Sequence, residues 1–238
     1  MTRPAARGAR IALLRAFQLT SDGRRIELPL AAQRVLAFLA LRDRRLQRVH
    51  VAGNLWIESS EEHAGANLRT ALWRIKQTGL PLLNVSSTQL ELRGDVEVDV
   101  QTVAEAARGV LADGVAAAAN GFLDVASIGE LLPDWYDDWV IVERERLRQL
   151  QVHALESLCV TLAGEGRFAQ AVAAGTAAVA CEPLRESAHR VLIETFLAEG
   201  NVSDALRQYR LVRELLRTQL GLEPSPTLQD LVAPLPAA

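Results

Sequence analysis

Residues 66–77 carry polar and aromatic side chains at a spacing that suits contact with a nucleic acid. The segment reads ANLRTALWRIKQ. At about 100° per residue, Leu68, Ala71, Leu72 and Ile75 fall on one side of a helix. The other faces carry the side chains that we name as candidate DNA contacts: Asn67, Arg69, Thr70, Trp73, Arg74, Lys76 and Gln77.

These residue types match the chemistry of a DNA duplex. Arginine pairs with guanine or with phosphate, glutamine and asparagine pair with adenine, and a flat apolar group meets the thymine methyl. An alternative stays open at this point. The basic residues would then form only a solvated face, and Trp73 would fold back over the edge of the core.

The elements around this helix are predicted to be strands, three helices and a hairpin. The stretches IALLRAFQL and SDGRRIEL indicate two strands around a turn at Asp22-Gly23. Helices are predicted over 31–41 and 49–56. Ser59 or Ser60 caps a third helix, which ends near Gln77 and has Glu61 and Glu62 in its first turn.

A hairpin follows the third helix. The stretch LLNVSSTQLELRG indicates two strands around a polar tip, and VEVDV offers one more short strand. The tip residues Ser86, Ser87 and Thr88 are further candidate DNA contacts, at a minor groove or at phosphates. Two helices with a short connection, followed by a hairpin, form the plan of a winged helix-turn-helix.

The second half of the chain is predicted to be all helix. Helices are expected over 101–119, 140–163, 168–180, 187–198 and 203–220, with prolines 224 and 226 stopping the last. Glu165-Gly166 recurs as Glu199-Gly200, an offset of 34 residues. That offset is the tetratricopeptide period. The fold class is therefore an α+β winged helix-turn-helix followed by an all-α, tetratricopeptide-like domain.

Charge also divides the chain. The net charge is −3, but residues 1–94 hold 15 Lys+Arg against 7 Asp+Glu, and the remainder holds 11 against 22. A basic half joined to an acidic half suggests that only the first half meets a polyanion. We predict a winged-helix domain at 10–98 and a helical domain at 99–235.

Other classes of protein find little support in the sequence. No apolar run reaches the roughly 18 residues of a membrane span, and no secretory leader is evident, so we expect a cytoplasmic protein without membrane contact. The sequence contains no metal-ligand spacing, phosphate loop or nucleophile elbow. We expect no enzyme activity, no catalytic residue, no metal and no cofactor. Trp135 and Trp139 are expected to pack between the domains.

Two long segments resemble the SARP-type antibiotic regulatory proteins of actinobacteria. The first is LLPDWYDDWVIVERERLRQLQVHALESL, from Leu131 to Leu158, and the second runs from Gly166 to Pro226. These proteins pair a response-regulator-type winged helix with a bacterial transcriptional activator domain. In the first half, residues 64–76 with Leu55-Trp56 ahead of them complete the resemblance.

The resemblance implies a transcription activator that binds repeated sites upstream of a promoter and recruits RNA polymerase. The implied partners are double-stranded DNA and RNA polymerase including its sigma subunit. Whether the chain forms a homodimer on DNA stays open. The loop over 57–62 corresponds to the connection that faces polymerase in similar winged helices, which makes Glu58, Glu61 and Glu62 hypothetical polymerase contacts.

The sequence departs from the family at three places. The second helix starts with Arg48 and lacks a hydroxyl cap, Ile57 replaces a common proline, and the wing tip lacks the usual Gly-Tyr. A second interpretation therefore remains, from another class of protein. In that interpretation the chain is a helical-repeat module for protein interaction or ligand sensing, and its winged helix binds protein instead of DNA.

Overall fold

The computed structural model describes residues 8–42, 44–113 and 129–235. They form two compact units. The winged-helix unit comprises the described residues up to 102 together with 129–144, and the helical unit comprises 103–113 and 145–235.

The winged-helix unit begins with a four-stranded sheet. Its strands are β1 (Ala9–Ala12), β2 (Gln18–Ser21), β3 (Arg24–Ile26) and β7 (Glu97–Val98), in the order β3-β2-β1-β7. Strand β7 is a two-residue strand within the stretch VEVDV, and it pairs parallel to β1.

The prediction of two strands before the first helix was wrong by one strand. Arg15 takes a positive φ of 70°, which is not a strand conformation, and it splits IALLRAFQL into β1 and β2. The predicted turn is present between β2 and β3. Asp22 and Gly23 have φ values of 48° and 74°, as a tight hairpin turn requires.

Three helices and a second sheet complete the winged helix. The helices are α1 (Leu30–Ala40), α2 (Arg48–Leu55) and α3 (Glu61–Gln77). The sheet contains β4 (Leu46–Gln47), β5 (Leu83–Val85) and β6 (Gln89–Leu92), in the order β4-β6-β5. This order of helices and hairpin confirms the predicted winged helix-turn-helix, with β5 and β6 as the wing.

The helical unit contains the remaining helices of the described chain. They are α4 (Asp99–Asp113), α5 (Asp138–Gly164), α6 (Phe168–Cys181), α7 (Glu186–Glu199), α8 (Val202–Leu220) and α9 (Pro226–Val232). Helices α4 and α5 each begin in the winged-helix unit and continue in the helical unit. The predicted helical residues 114–119 lie outside the described residues.

Pro224 and Pro226 lie beyond the end of α8, as predicted, and Pro226 also begins the further helix α9. Pro226 occupies the first turn of α9, where its missing N–H has no helical partner to lose. Leu228 from this helix is buried against Ile193, Ala205, Val212 and Leu216.

Hydrogen bonds confirm the repeat of 34 residues. At the end of α5, Gly166 N–H donates to the carbonyl of Ala163 and Arg167 N–H to that of Leu162. At the end of α7, the bonds run from Gly200 to Leu197 and from Asn201 to Phe196. Both glycines have positive φ, 72° and 89°, which lets each helix end in the same tight turn.

The two tryptophans after Leu132 lie in the winged-helix unit. Trp139 meets Phe38 of α1 edge-on at 5.2 Å between ring centres, and Trp135 stacks on Phe17 at 6.2 Å. The sequence predicts that Trp135 and Trp139 pack between the domains, and the structure instead places both against residues of the winged-helix unit. Contacts with Phe17 and Phe38 tie the segment 129–144 to the first unit.

Candidate nucleic-acid interface

Helix α3 presents its candidate DNA contacts because a row of apolar side chains fixes its other side. Ala64, Leu68, Ala71 and Ile75 are buried. Leu72 is only half-buried, so its predicted place in the core is correct in direction but not in depth. The candidate contacts on this helix are all exposed: Asn67, Arg69, Thr70, Trp73, Arg74, Lys76 and Gln77.

The start of α3 is capped as predicted. The hydroxyl of Ser60 accepts the backbone N–H of His63 at 3.4 Å and lies 2.7 Å from Nδ1 of the His63 ring. Glu61 and Glu62 stand in the first turn, where a negative charge favours the positive end of the helix. This capped start fixes the first residue of the helix, and with it the angular position of every exposed side chain that follows.

Ion pairing separates the cations of α3 from many other arginines of the winged-helix unit. Six described arginines away from this helix pair with carboxylates: Arg25 with Glu27, Arg34 with Asp137, Arg42 with Glu143, Arg45 with Glu91, Arg93 with Asp95, and Arg144 with Glu130. By contrast, Arg69, Arg74 and Lys76 form no ion pair with any described residue. Their positive charge stays available to an external anion.

Trp73 lies on the wet side of α3 and does not fold over the core edge. It is 51% exposed, and the guanidinium carbon of Arg74 lies 4.8 Å from the centre of its ring. This is a cation–π contact between neighbouring residues on one exposed face. The pair combines a flat apolar surface with a fixed cation.

Two of the predicted hydroxyl contacts are already engaged within the protein. Thr70 Oγ1 donates to the carbonyl of Ala66 at 3.1 Å, so it offers its methyl group and a lone pair outward. Ser86 Oγ accepts the N–H groups of Thr88 and Gln89 inside the wing turn. The hydroxyls of Ser87 and Thr88 have no hydrogen-bond partner among the described residues, and both residues are exposed.

A cleft joins the wing tip to the helices. It has a volume of about 860 Å³ and is lined by Ser87 and Thr88 of the wing, Arg48 of α2, and Gly65 and Arg69 of α3. The structure thus brings the wing tip and the first half of α3 to one surface. Lys76 and Gln77, at the far end of α3, do not line this cleft.

Arg48 contacts the wing tip, and the sequence reasoning did not include it among the candidate contacts. Its backbone N–H donates to the carbonyl of Thr88 at 2.8 Å, and its Nη1 donates to the carbonyl of Ser86 at 3.3 Å. Only the pairing of β4 with β6 brings these residues together. No periodic pattern in the sequence carries that information.

The loop between α2 and α3 is short and exposed. Trp56 ends α2, and the N–H of Ser59 donates to its carbonyl at 3.0 Å to form a turn. Ile57 and Glu58 at the turn are exposed. Of the three acids that the resemblance links to polymerase, Glu58 lies before the cap and Glu61 and Glu62 lie after it.

The described residues contain neither a cluster of metal-ligating side chains nor a membrane-spanning helix. No group of three or more His, Cys, Asp or Glu side chains among them is placed to hold a metal ion. Their helices are also too short or too polar to cross a membrane.

Comparisons with known proteins agree with this fold. The family described as "Bacterial transcriptional activator domain" matches residues 95–235. The Regulatory protein AfsR of Streptomyces coelicolor is 30% identical over 207 residues, which is 83% of this chain and 21% of that protein. AfsR of Streptomyces griseus is 31% identical over 103 residues, 43% of this chain and 11% of that protein.

A solved structure shares the fold across both units. This is the structure described as Mycobacterium tuberculosis EmbR in complex with a low affinity phosphopeptide. It superposes with a TM-score of 0.73 at 23% identity, covering 94% of this chain and 63% of EmbR. The chain spans about a fifth of the AfsR of Streptomyces coelicolor and under two thirds of the EmbR chain.

The fold and the basic helix define a winged-helix protein with a tetratricopeptide-like helical region. Because the family model covers more than half of the sequence, the chain belongs to the bacterial transcriptional activator domain family, and its resemblance to the SARP-type regulators is confirmed.

Proposed function

We propose that this protein is a transcription activator that reads double-stranded DNA with α3 and the wing. The supporting observation is the exposed face of α3, where Arg69, Arg74 and Lys76 have no ion-pair partner among the described residues. An unpaired cationic helix in a winged helix-turn-helix is placed to enter a major groove.

The contacts divide into positioning and reading. Lys76 and the wing hydroxyls of Ser87 and Thr88 suit phosphate oxygens, which set the register on the duplex. Arg69 and Arg74 have the planar donors that pair with guanine or with phosphate, and Asn67 and Gln77 have the amides that recognise adenine. Trp73 supplies apolar area for a thymine methyl or a sugar.

The second half of the proposal is recruitment of RNA polymerase, including its sigma subunit. Carboxylates repel phosphate, so the exposed acids at the α2–α3 loop serve another purpose than holding DNA. Glu61 and Glu62 have a local role, because each favours the helix start by a few tenths of a kcal/mol. Glu58 has no such role, and a contact with a basic polymerase surface accounts for it.

DNA binding is tested by a mobility shift of the purified full chain with genomic fragments. Retarded fragments that share a repeated sequence support the proposal. Two copies on such a repeat, counted by analytical ultracentrifugation, would indicate a homodimer on DNA. Failure to retard any fragment at low salt would favour the protein-interaction alternative, because phosphate contacts are strongest there.

Glu58→Arg tests the polymerase contact. We expect DNA affinity to hold or rise, and transcription activated by the protein in a purified system to fall. Glu97→Arg, at an exposed acid of strand β7, is the matched control and should activate normally. If transcription with Glu58→Arg simply follows promoter occupancy, the loop is structural.

A further inference from the structure

Helix α2 starts without a side-chain cap. Its N-cap residue is Gln47, which makes no capping hydrogen bond, and no acid stands in its first turn. The first N–H groups of a helix have no partner within the helix, so they need one from outside. Here the wing supplies it, because the carbonyl of Thr88 accepts the N–H of Arg48 at 2.8 Å.

The side chain of Arg48 adds a second bond to the same tip. Its Nη1 donates to the carbonyl of Ser86 at 3.3 Å, so the two bonds span Ser87 from either side. The tip is itself a closed turn. Ser86 N–H donates to the carbonyl of Gln89, and Ser86 Oγ accepts from the N–H of Gln89. Arg48 therefore holds a preformed turn.

The register of the second sheet makes this contact possible. Gln47 of β4 pairs with Gln89 of β6, which places the start of α2 beside the end of the wing turn. The cleft of about 860 Å³ is lined by the wing tip together with Arg48 and Arg69. The position of Arg48 therefore determines where the free hydroxyls of Ser87 and Thr88 lie relative to α3.

We infer that Arg48 is a positioning residue of the DNA-binding surface, which acts by fixing the wing tip to the start of α2 and not by neutralising a phosphate. The inference rests on the proposed DNA-binding function. Arg48 is half-buried as a residue, and its guanidinium donates to a protein carbonyl. A wing held in place loses less conformational freedom on binding, so it binds more tightly.

The test compares Arg48→Gln and Arg48→Lys in the full chain, with Arg44→Gln as the control at an exposed neighbouring arginine. The affinity for a retarded genomic fragment is measured across a salt series. Loss of one hydrogen bond that orders the wing should weaken binding by about three- to tenfold in both Arg48 variants. The salt slope should stay at the wild-type value, because the number of phosphates neutralised does not change.

Amide hydrogen exchange without DNA provides the second measurement. The amides of Thr88 and Gln89 should exchange faster in both Arg48 variants and at the wild-type rate in Arg44→Gln, because the side chain of Arg48 bonds to the tip at Ser86. Since this arm needs no DNA, it separates a failure of the inference from a failure of the proposed function.

Two results would overturn the inference. If Arg48→Lys restores affinity, while Arg48→Gln makes the salt slope shallower by about one, then Arg48 contacts a phosphate directly. If wing exchange and affinity are unchanged in both variants, the bond to Ser86 contributes nothing to the surface.

Discussion

The guanidinium of Arg74 lies over the indole of Trp73, and this stacking limits where the cation can point. Their 4.8 Å separation gives a cation–π contact, of about 0.5–1 kcal/mol at an exposed site. Arginine loses considerable rotamer freedom when it binds, so a partner that orders it beforehand reduces that cost.

This geometry predicts that Trp73 and Arg74 act as a unit in DNA binding. Trp73→Ala and Arg74→Ala should each weaken binding. The loss of binding free energy in the double variant should be smaller than the sum of the two single losses, by at least about 0.5 kcal/mol. Trp73→Phe should keep most of the affinity, since it retains a ring face. Affinities of the four proteins on one DNA fragment give the coupling, and strictly additive losses would show that the residues act separately.

His189 is buried in the helical unit with both ring nitrogens occupied. Nε2 lies 2.9 Å from the carbonyl of Pro183, and Nδ1 lies 2.7 Å from Nε2 of Gln208. Burial lowers the pKa of His189 below its ordinary value of 6.5, although the hydrogen bond to Pro183 and the charge of Glu186 oppose the shift. The folded chain therefore holds this ring neutral.

A lowered pKa makes stability depend on pH in a defined direction. Below about pH 6.5 the unfolded chain binds a proton at His189 that the folded chain resists, so the free energy of unfolding should fall as the pH drops from 7.5 to 5.5. Urea unfolding at both pH values measures this. In His189→Gln the drop should be smaller, and an equal drop would place the titrating group elsewhere.

At the residue scale, helical periodicity was enough to predict which side of α3 faces water. The buried residues recur at three- and four-residue spacing, and the structure agrees at Leu68, Ala71 and Ile75. The internal hydrogen bonds of Thr70 and Ser86 and the role of Arg48 were not predictable. Each depends on backbone carbonyl positions that appear only after the elements fold and pair.

Within α3, the depth of burial ranks the apolar positions. Leu68 is 1% exposed and Leu72 is half-buried on the same helix. Leu68→Ala should lower the free energy of unfolding by about 2–5 kcal/mol through an internal cavity, and Leu72→Ala by clearly less. Urea titrations of the two variants provide a matched pair. Equal losses would mean that the helix is rotated from the position described here.

Helices were predictable as elements, including the eight-residue α2, whereas the short strand β4 was not. The helices now called α1, α3, α6, α7 and α8 begin and end within two residues of the predicted bounds. Strand β4 has two residues, too few to form a pattern. The break between β1 and β2 occurs at Arg15, whose backbone conformation arginine rarely adopts, so the residue type does not predict it.

In the whole molecule, the segment 129–144 stabilises the unit that carries the proposed DNA-binding surface. Trp139 is buried against Phe38, while Tyr136 of the same segment is 81% exposed. Asp99 also serves the first unit, since its carboxylate accepts the N–H groups of Leu13 and Leu14. A winged-helix fragment that ends at residue 98 lacks all of these contacts.

Trp139→Ala should therefore destabilise the winged-helix unit by about 3–5 kcal/mol. Thermal unfolding followed by loss of DNA binding measures the effect. Tyr136→Ala is the matched control and should unfold like the wild type. If Trp139→Ala unfolds at the same temperature as the wild type, the winged helix is stable without the contacts of this segment. The predicted domain boundary between residues 98 and 99 would then be adequate.

The order of elements and the repeat predicted the fold class of the whole chain, but not the membership of the segment 129–144. Two ion pairs tie this segment to α1 and the turn that follows it. Arg34 of α1 pairs with Asp137, and Arg42, two residues after α1, pairs with Glu143, over separations of 103 and 101 residues. No local pattern links side chains over that separation. The stretch that contains Trp135 and Trp139 indicated that these rings pack against apolar residues, and the structure shows which residues they contact.

The central claim is that the unpaired cations of α3 bind DNA, and the salt dependence of binding tests it most directly. The full chain and an Arg69→Gln, Arg74→Gln variant are titrated against one retarded fragment between low and moderate salt, with Arg207→Gln on α8 as the control for charge. The claim predicts that binding of the wild type falls steeply with salt. The α3 variant should bind more weakly and show a slope shallower by about one to two, and the control should match the wild type. An α3 variant with the affinity and slope of the wild type would contradict the claim.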